Sequence, residues 1–206
     1  CPMGLGFRAG GGTSARWEIK RPSRNAMNIK QKMQRTLDYP VPLDEDFRLK
    51  VLYSHRILDT APEPLFDRVT RLATIHFKVP MSIVSFVDED RQWCKATLGT
   101  DFTETPRQNA FCAHTILEKE PMVVLDASKD RRFADNPLVT RKPGLRFYVG
   151  APLIVGEGVA LGALCLLDTH PRGFFSPEDR QYLADLAAVV VDHMELRRTC
   201  LMENAD

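Results

Sequence analysis

Helical spacing of apolar residues marks the two ends of the ordered-looking part of this chain, and short apolar runs broken by turn formers mark its middle. From Asp44 onward, Phe47, Leu49, Leu52 and the Ile57-Leu58 pair recur at roughly the helical period, up to Asp59-Thr-Ala-Pro62, and predict a first helix. Pro62 and Pro64 open a second, with Leu65, Phe66, Val69, Leu72, Ala73 and Phe77 as its apolar stripe. Proline suits a first turn because its missing N–H has no helical partner there. Met81–Val87 is a β-branched run that ends in the polar turn Asp88-Glu-Asp90-Arg, and Gln92–Leu98 reads as the returning strand. Met122–Leu125, Phe147–Val155 and Val159–Leu167 are three further strands. Gly156-Glu-Gly158 joins the last two as a hairpin, since glycine takes positive φ without steric cost. The polar stretch from Asp126 to Arg146 predicts loop with at most a short helix. Ser176-Pro-Glu-Asp179 supplies a capping hydroxyl, a proline for the first helical position and acids for the first turn. A long helix follows, with Leu183, Leu186, Val190, Met194 and Leu201 on one stripe. Helix, helix, strands, helix, joined by hairpins rather than βαβ units, predicts an α+β fold on a largely antiparallel sheet.

Charge changes the picture at the N-terminus. The whole chain of 206 residues carries a net charge of +1, yet residues 1–40 hold eight Lys or Arg against only Glu18 and Asp38. A basic arm on a mildly acidic body suits nucleic acid, a membrane surface or an acidic partner. With no aromatic interleaving and no zinc spacing it reads first as a solvated, disordered arm or linker, which argues against nucleic-acid binding. The domain then occupies 41–206. No run reaches the roughly 18 apolar residues of a membrane span, and residues 1–40 lack the apolar core of a secretory signal. Cys1, Cys94, Cys112, Cys165 and Cys200 show no C-x-x-C spacing, so they read as reduced thiols of a cytoplasmic protein.

Polar residues inside the apolar runs are the candidate chemistry. Cys112 and His114 are two apart, so they diverge on a helix and share a face on a strand. A thiol near an imidazole suits a redox centre or part of a metal site, against the plainer reading of a buried thiol and a hydrogen-bonded core histidine. No second His/Cys cluster exists to complete a metal site, and no cofactor is expected. Arg146 and Tyr148 point the same way at the start of a strand, where a guanidinium suits an anionic ligand and a phenol offers a stacking face and a hydroxyl. Arg146 equally suits an ion pair with Asp126, Asp130 or Asp135. Arg132 and Asn136 in the preceding loop, with Asp126 at a strand end, complete the candidate ligand set. Turn and cap chemistry is the alternative for Asp126 and Asn136.

A series of segments points to a family: Arg48-Leu-Lys-Val-Leu52, Ile57-Leu-Asp-Thr-Ala-Pro-Glu63, Phe66-Asp-Arg-Val-Thr-Arg-Leu-Ala73 and Val84-Ser-Phe-Val-Asp-Glu-Asp-Arg-Gln-Trp93. Phe111-Cys-Ala-His-Thr-Ile-Leu117, Val124-Leu-Asp-Ala127, Arg132-Phe-Ala-Asp-Asn-Pro-Leu138, Phe147-Tyr-Val-Gly-Ala-Pro-Leu153 and Leu161-Gly-Ala-Leu-Cys-Leu-Leu-Asp168 follow in order. Together these residues, from about Asp44 to Met202, resemble GAF domains of the type found ahead of histidine kinases and diguanylate cyclases. The resemblance implies a central six-stranded antiparallel sheet with the terminal helices on one face and pocket loops on the other. It also implies a non-catalytic sensory or regulatory role in signal transduction, with an unidentified small-molecule ligand. Signalling, and homodimerisation, would run through the terminal helices. A redox-active thiol protein, either a sensor or a methionine sulfoxide reductase-like enzyme, and a ligand-free dimerisation module are the alternatives. Light-sensing relatives carry a bilin-attachment cysteine just before the strand that matches Tyr148–Leu153. Here that stretch is Thr140-Arg-Lys-Pro-Gly-Leu145, without cysteine.

Overall fold

The computed structural model describes residues 39–203, so the basic arm read over 1–40 lies almost wholly outside the described residues. Helix α1 (Glu45–Ser54) and α2 (Pro64–Phe77) precede strands β1 (Met81–Val87), β2 (Arg91–Leu98) and β3 (Glu104–Pro106). A 3-10 turn (Arg107–Asn109) and the short α3 (Cys112–Thr115) lead to β4 (Met122–Val124) and the short α4 (Pro137–Thr140). Strands β5 (Phe147–Ile154) and β6 (Ala160–Asp168) and the long α5 (Pro177–Glu203) complete the chain. The six strands form one antiparallel sheet in the order β3-β2-β1-β6-β5-β4. Two hairpins, β1–β2 and β5–β6, meet along the central β1–β6 pairing. The α+β architecture expected from the element order is present.

Both faces of the sheet are covered. Val84 and Phe86 of β1, Phe147, Val149 and Leu153 of β5, and Leu161, Leu164 and Leu166 of β6 face the helices. There they pack on Phe47, Val51 and Leu52 of α1, Phe66, Val69 and Phe77 of α2, and Leu183, Val190 and Met194 of α5. The intervening residues, among them Ile83, Tyr148, Ala163 and Cys165, face a second core built with Phe111, Cys112, Ile116, Phe133, Val139 and Leu145 from the loops. Side chains alternate across a strand, so double coverage turns the usual alternating pattern into continuous apolar runs. Every residue from Phe147 to Leu153 is buried.

Three details depart from the sequence pattern. Helix α1 stops at Ser54, and the backbone turns left-handed at Arg56 (φ 46°) and Asp59 (φ 56°). Ile57 is nevertheless buried, because the non-helical link folds it back under α1. Leu72, placed on the apolar stripe of α2, is 52% exposed, since the sheet takes only Phe66, Val69, Ala73 and Phe77. Strand β3 was not among the strands read from apolar runs. It is a three-residue edge strand, Glu-Thr-Pro, with no apolar residue to mark it.

The start of α5 follows its sequence signal closely. The Ser176 hydroxyl accepts from the Asp179 N–H at 2.9 Å, and the Asp179 carboxylate accepts from the Ser176 N–H at 3.3 Å. This reciprocal pair satisfies two backbone donors that a bare helix end leaves open.

The other end of α5 is tied down by charge. In the β1–β2 hairpin Val84 lies opposite Ala96 and Ser85 opposite Cys94, so Lys95 is an extra, bulged residue. Its fully buried ammonium donates to Glu63 at 2.8 Å, to the Thr60 hydroxyl at 2.6 Å and to the Ala61 carbonyl at 2.6 Å. The same Glu63 carboxylate takes the His193 ring at 3.2 Å and the Arg197 Nε at 3.1 Å, both from α5. Arg197 also donates to the carbonyls of His55 and Arg56. Burial alone would push the Glu63 carboxyl above its ordinary pKa, but bonds from Lys95 and His193 outweigh it and hold the carboxyl below that value. Removing one partner of a buried pair strands the other charge, at a cost of 3–5 kcal/mol in fully buried cases. Glu63 is partly exposed and Lys95 keeps two oxygen acceptors, so Glu63→Ala is expected to destabilise the domain by roughly 2–3 kcal/mol. Urea unfolding measures it, and a loss below about 0.5 kcal/mol would contradict the clamp.

Candidate functional site

Between the sheet and the loop layer lies a cavity of about 260 Å³. Its floor is the outer face of β1, β2, β5 and β6, represented by Ile83, Cys94, Tyr148 and Cys165. Its walls come from Phe111 and Cys112 at α3, from Leu138 and Leu145 around α4, and from Phe102 at the mouth. The polar groups among its lining are Gln92, three threonines, the thiols and the phenol, and none carries a full charge. This is the size and make-up of a site for a small, mostly apolar molecule.

At the back of the cavity five buried polar side chains converge. Cys112 Sγ lies 3.2 Å from Cys165 Sγ, 3.4 Å from the Tyr148 hydroxyl and 3.4 Å from the Ser85 hydroxyl. The Tyr148 hydroxyl is also 3.4 Å from Cys165 Sγ and shares a 2.7 Å hydrogen bond with the Thr115 hydroxyl. Backbone placement explains the meeting. Tyr148 and Gly150 face the same way on β5, and a Cβ at Gly150 would collide with the Tyr148 hydroxyl and crowd Thr115. The bare glycine thus lets the phenol lie along the sheet. Cys165 sits opposite Gly150 on β6, and α3 lowers Cys112 and Thr115 onto both.

The other expected site residues lie elsewhere. His114 leaves α3 on the side opposite Cys112, as their spacing on a helix demands, and packs edge-on against Phe133 at 4.7 Å between ring centroids. Arg146 donates to the carbonyls of Val139 and Leu145, each at 2.9 Å, and so braces the α4 loop. Asn136 caps α4 by accepting from the Leu138 N–H at 2.9 Å and donates to the Asn109 carbonyl at 3.1 Å. Asp126 accepts from the Ser128 N–H and hydroxyl and pairs with Lys129 at 3.1 Å, closing a turn. Arg132 is exposed, pairs with Asp130 at 2.7 Å and lies over the Phe133 ring. Of the seven candidates, Cys112 and Tyr148 line the cavity, and the structure brings those two together. Ser85, Thr115 and Cys165 complete their cluster and were not singled out as ligands. Their signal in the sequence is a small polar residue inside an otherwise apolar run.

Burial sets the ionisation of this region. Burial opposes a thiolate at Cys112, but bonds from Cys165, Ser85 and Tyr148 prevail and hold the thiol below its ordinary value. Burial, then the shared bond with Cys112, pushes Cys165 well above. Cys94 rises to about 12, through burial first and Cys112 second. His114 falls to about 4, because burial and then the Arg132 charge disfavour the imidazolium while Asp130 works the other way.

The sequence profile of the GAF domain matches residues 61–192. The chain belongs to the GAF family. Over 160 residues it is 38% identical to the cyclic di-GMP phosphodiesterase PA2567 of Pseudomonas aeruginosa, a match that covers 78% of this chain and 27% of that protein. The GAF chain therefore spans about a quarter of the length of the relative it matches. Among solved structures, the GAF domain of an Acinetobacter phosphoenolpyruvate-protein phosphotransferase superposes with a TM-score of 0.53 at 18% identity, over 74% of this chain and 96% of that one. Free methionine-R-sulfoxide reductase of Neisseria meningitidis, solved with its substrate, gives a TM-score of 0.55 at 17% identity, over 79% of this chain and 96% of that one. At such identities these two structures establish the shared fold alone. Among the described residues of this GAF chain, no helix is long and apolar enough to cross a membrane, and no group of three or more His, Cys, Asp or Glu is placed to hold a metal ion.

His114 supplies a direct test of the loop layer. Its folded-state value lies below the ordinary 6.5, so the unfolded chain takes up a proton first as pH falls. The contribution to stability is full above 6.5 and is lost as pH drops from there to about 4. The His114 ring resonance in a proton NMR titration is expected to move with a midpoint near 4, and a midpoint at or above 6 would mean the ring is not packed as described.

Proposed function

We propose that this GAF domain is a non-catalytic regulatory module of a signalling protein, which binds a small, uncharged, largely apolar ligand in the cavity beneath α3. The observation that carries this reading is the cavity itself: about 260 Å³, walled by aromatic and aliphatic side chains, with threonines and Gln92 placed for a few hydrogen bonds. The Arg146 and Arg132 guanidinium groups are occupied by backbone carbonyls and by Asp130, which favours a neutral ligand over an anionic one. Likeness to a cyclic di-GMP phosphodiesterase supports a context in which such a domain controls an enzyme of second-messenger turnover.

A route from cavity to helix exists in β2. Gln92 and Cys94 line the cavity, whereas the bulged Lys95 reaches through the other face to Glu63, and Glu63 holds His193 and Arg197 of α5. Ligand binding would favour one arrangement of β2 and α5, by no more than its differential affinity for the two. Native mass spectrometry of the purified chain, compared with denaturing spectra, is expected to show a retained small molecule or uptake of added indole as a probe. Leu167→Trp, which fills the cavity from β6, should abolish either one. An empty wild-type protein that also ignores indole would sink the ligand reading.

The module is further proposed to act as a homodimer through α5. Tyr182, Val189 and Leu196 recur every seven residues along α5 and are exposed, with Leu196 at 66%. Such spacing places them on one seam suited to a second helix. Leu196→Glu is expected to shift a dimer to monomer by light scattering at micromolar concentration, with little change in melting temperature. A wild-type chain that is already monomeric there refutes this part of the proposal.

A further inference from the structure

Cys112 and Cys165 are separated by 53 positions in sequence and by 3.2 Å between sulfurs in space, in a cavity whose lining also includes the exposed Phe102 and Pro143. Both thiols line that cavity. A disulfide needs the sulfurs to approach to about 2.05 Å, so closure asks for a movement of about 1 Å, within reach of small side-chain rotations. The geometry points to Cys112 and Cys165 as a site of reversible oxidation, in which a small hydroperoxide converts the thiol pair to a disulfide. The inference does not rest on the ligand-binding reading, because the pair can link whether or not the cavity holds a ligand.

The roles of the two sulfurs follow from their neighbours. Cys112 receives the Ser85 and Tyr148 hydroxyls as well as the Cys165 thiol, so three donors face the charge of its thiolate. Thiolate is the attacking form. Cys112 Sγ attacks one peroxide oxygen, the O–O bond breaks, and the departing alkoxide takes up the proton that Cys112 released, leaving as an alcohol. Cys112 is then a sulfenic acid, oxidised by two electrons. The sulfur of Cys165 next attacks Cys112 Sγ, and the S–O bond breaks. Hydroxide leaves with the Cys165 proton as water, and the disulfide is complete. In sum, two thiols and one hydroperoxide give one disulfide, one alcohol and one water. Ser85 and Tyr148 are positioning residues here: they hold the thiolate without changing covalently.

The link would pin α3 to the middle of β6, where Cys165 lies between Ile83 and Gly150. It would also draw the cavity wall inward at its deepest point. The domain would then report oxidant through the same layer that the cavity occupies.

The experiment uses the whole reduced chain. It is treated with tert-butyl hydroperoxide, alkylated under denaturing conditions and mapped by mass spectrometry. A peptide pair joined through Cys112 and Cys165, and released by dithiothreitol, is the expected result. In Cys165→Ser, the sulfenic acid should persist at Cys112 and be trapped there by dimedone. Wild-type mapping needs no variant, so a poorly folding variant does not blunt the test. Unlinked Cys112 and Cys165 peptides after treatment that oxidises Cys200 overturn the inference, as does dimedone labelling of Cys165 in preference to Cys112. Retention of a ligand by a chain that never forms the link removes this inference and leaves the ligand reading standing.

Discussion

A sheet covered on both sides governs the molecule. Because helices close one face of β1, β5 and β6 and loops close the other, any polar group on these strands must find its partner inside the protein. Ser82 bonds to the Thr70 carbonyl and the Thr74 hydroxyl on the helix side. Ser85 and Tyr148 have only Cys112, Cys165 and Thr115 to turn to on the loop side. The thiol cluster and the buried ammonium of Lys95 are thus two answers to one constraint. Each polar side chain sits where the fold has already gathered the partners that make its burial tolerable.

The two layers differ in what they do with this constraint. On the helix side the packing is continuous, and the polar contacts there include ionic ties between α5 and the link from α1 to α2. On the loop side the layer is thinner, a single-turn helix and a cis-proline-containing loop held by backbone-directed bonds from Arg146 and Asn136. That thinner layer leaves room for the cavity. The proposed ligand site lies where coverage of the sheet is least complete.

Much of this was legible in the sequence. The strand runs, the Gly156-Glu-Gly158 hairpin and the Ser176–Asp179 cap all carry local signals, and the structure follows them to within a residue or two. The edge strand β3 was not legible, since a Glu-Thr-Pro segment paired to one neighbour leaves no pattern. The end of α1 was blurred because Ile57 keeps helical spacing after the helix has stopped. The site was only half legible. Tyr148 and Cys112 stand out as polar residues in apolar runs, but which arginines serve a ligand and which brace a loop depends on where the α4 loop turns its carbonyls. Nothing in the composition of Thr140–Leu145 announces that Arg146 will be used up there. Nor does the spacing of Cys112 and Cys165 announce that they touch, since the contact depends on α3 being set down over β6.

Helix α5 can be viewed as a beam. At 27 residues it is about 40 Å long, and it is held at one end by the Ser176–Asp179 cap and near the other by Arg197 on Glu63, His55 and Arg56. Between those ends Leu183, Ala187, Val190 and Met194 press it onto the sheet. Glu63 is one tie of that far end, and it is bound in turn to the ammonium that the bulge in β2 pushes through the sheet. A residue inserted out of register in one strand thus bears on how firmly the last helix of the domain is anchored at its far end.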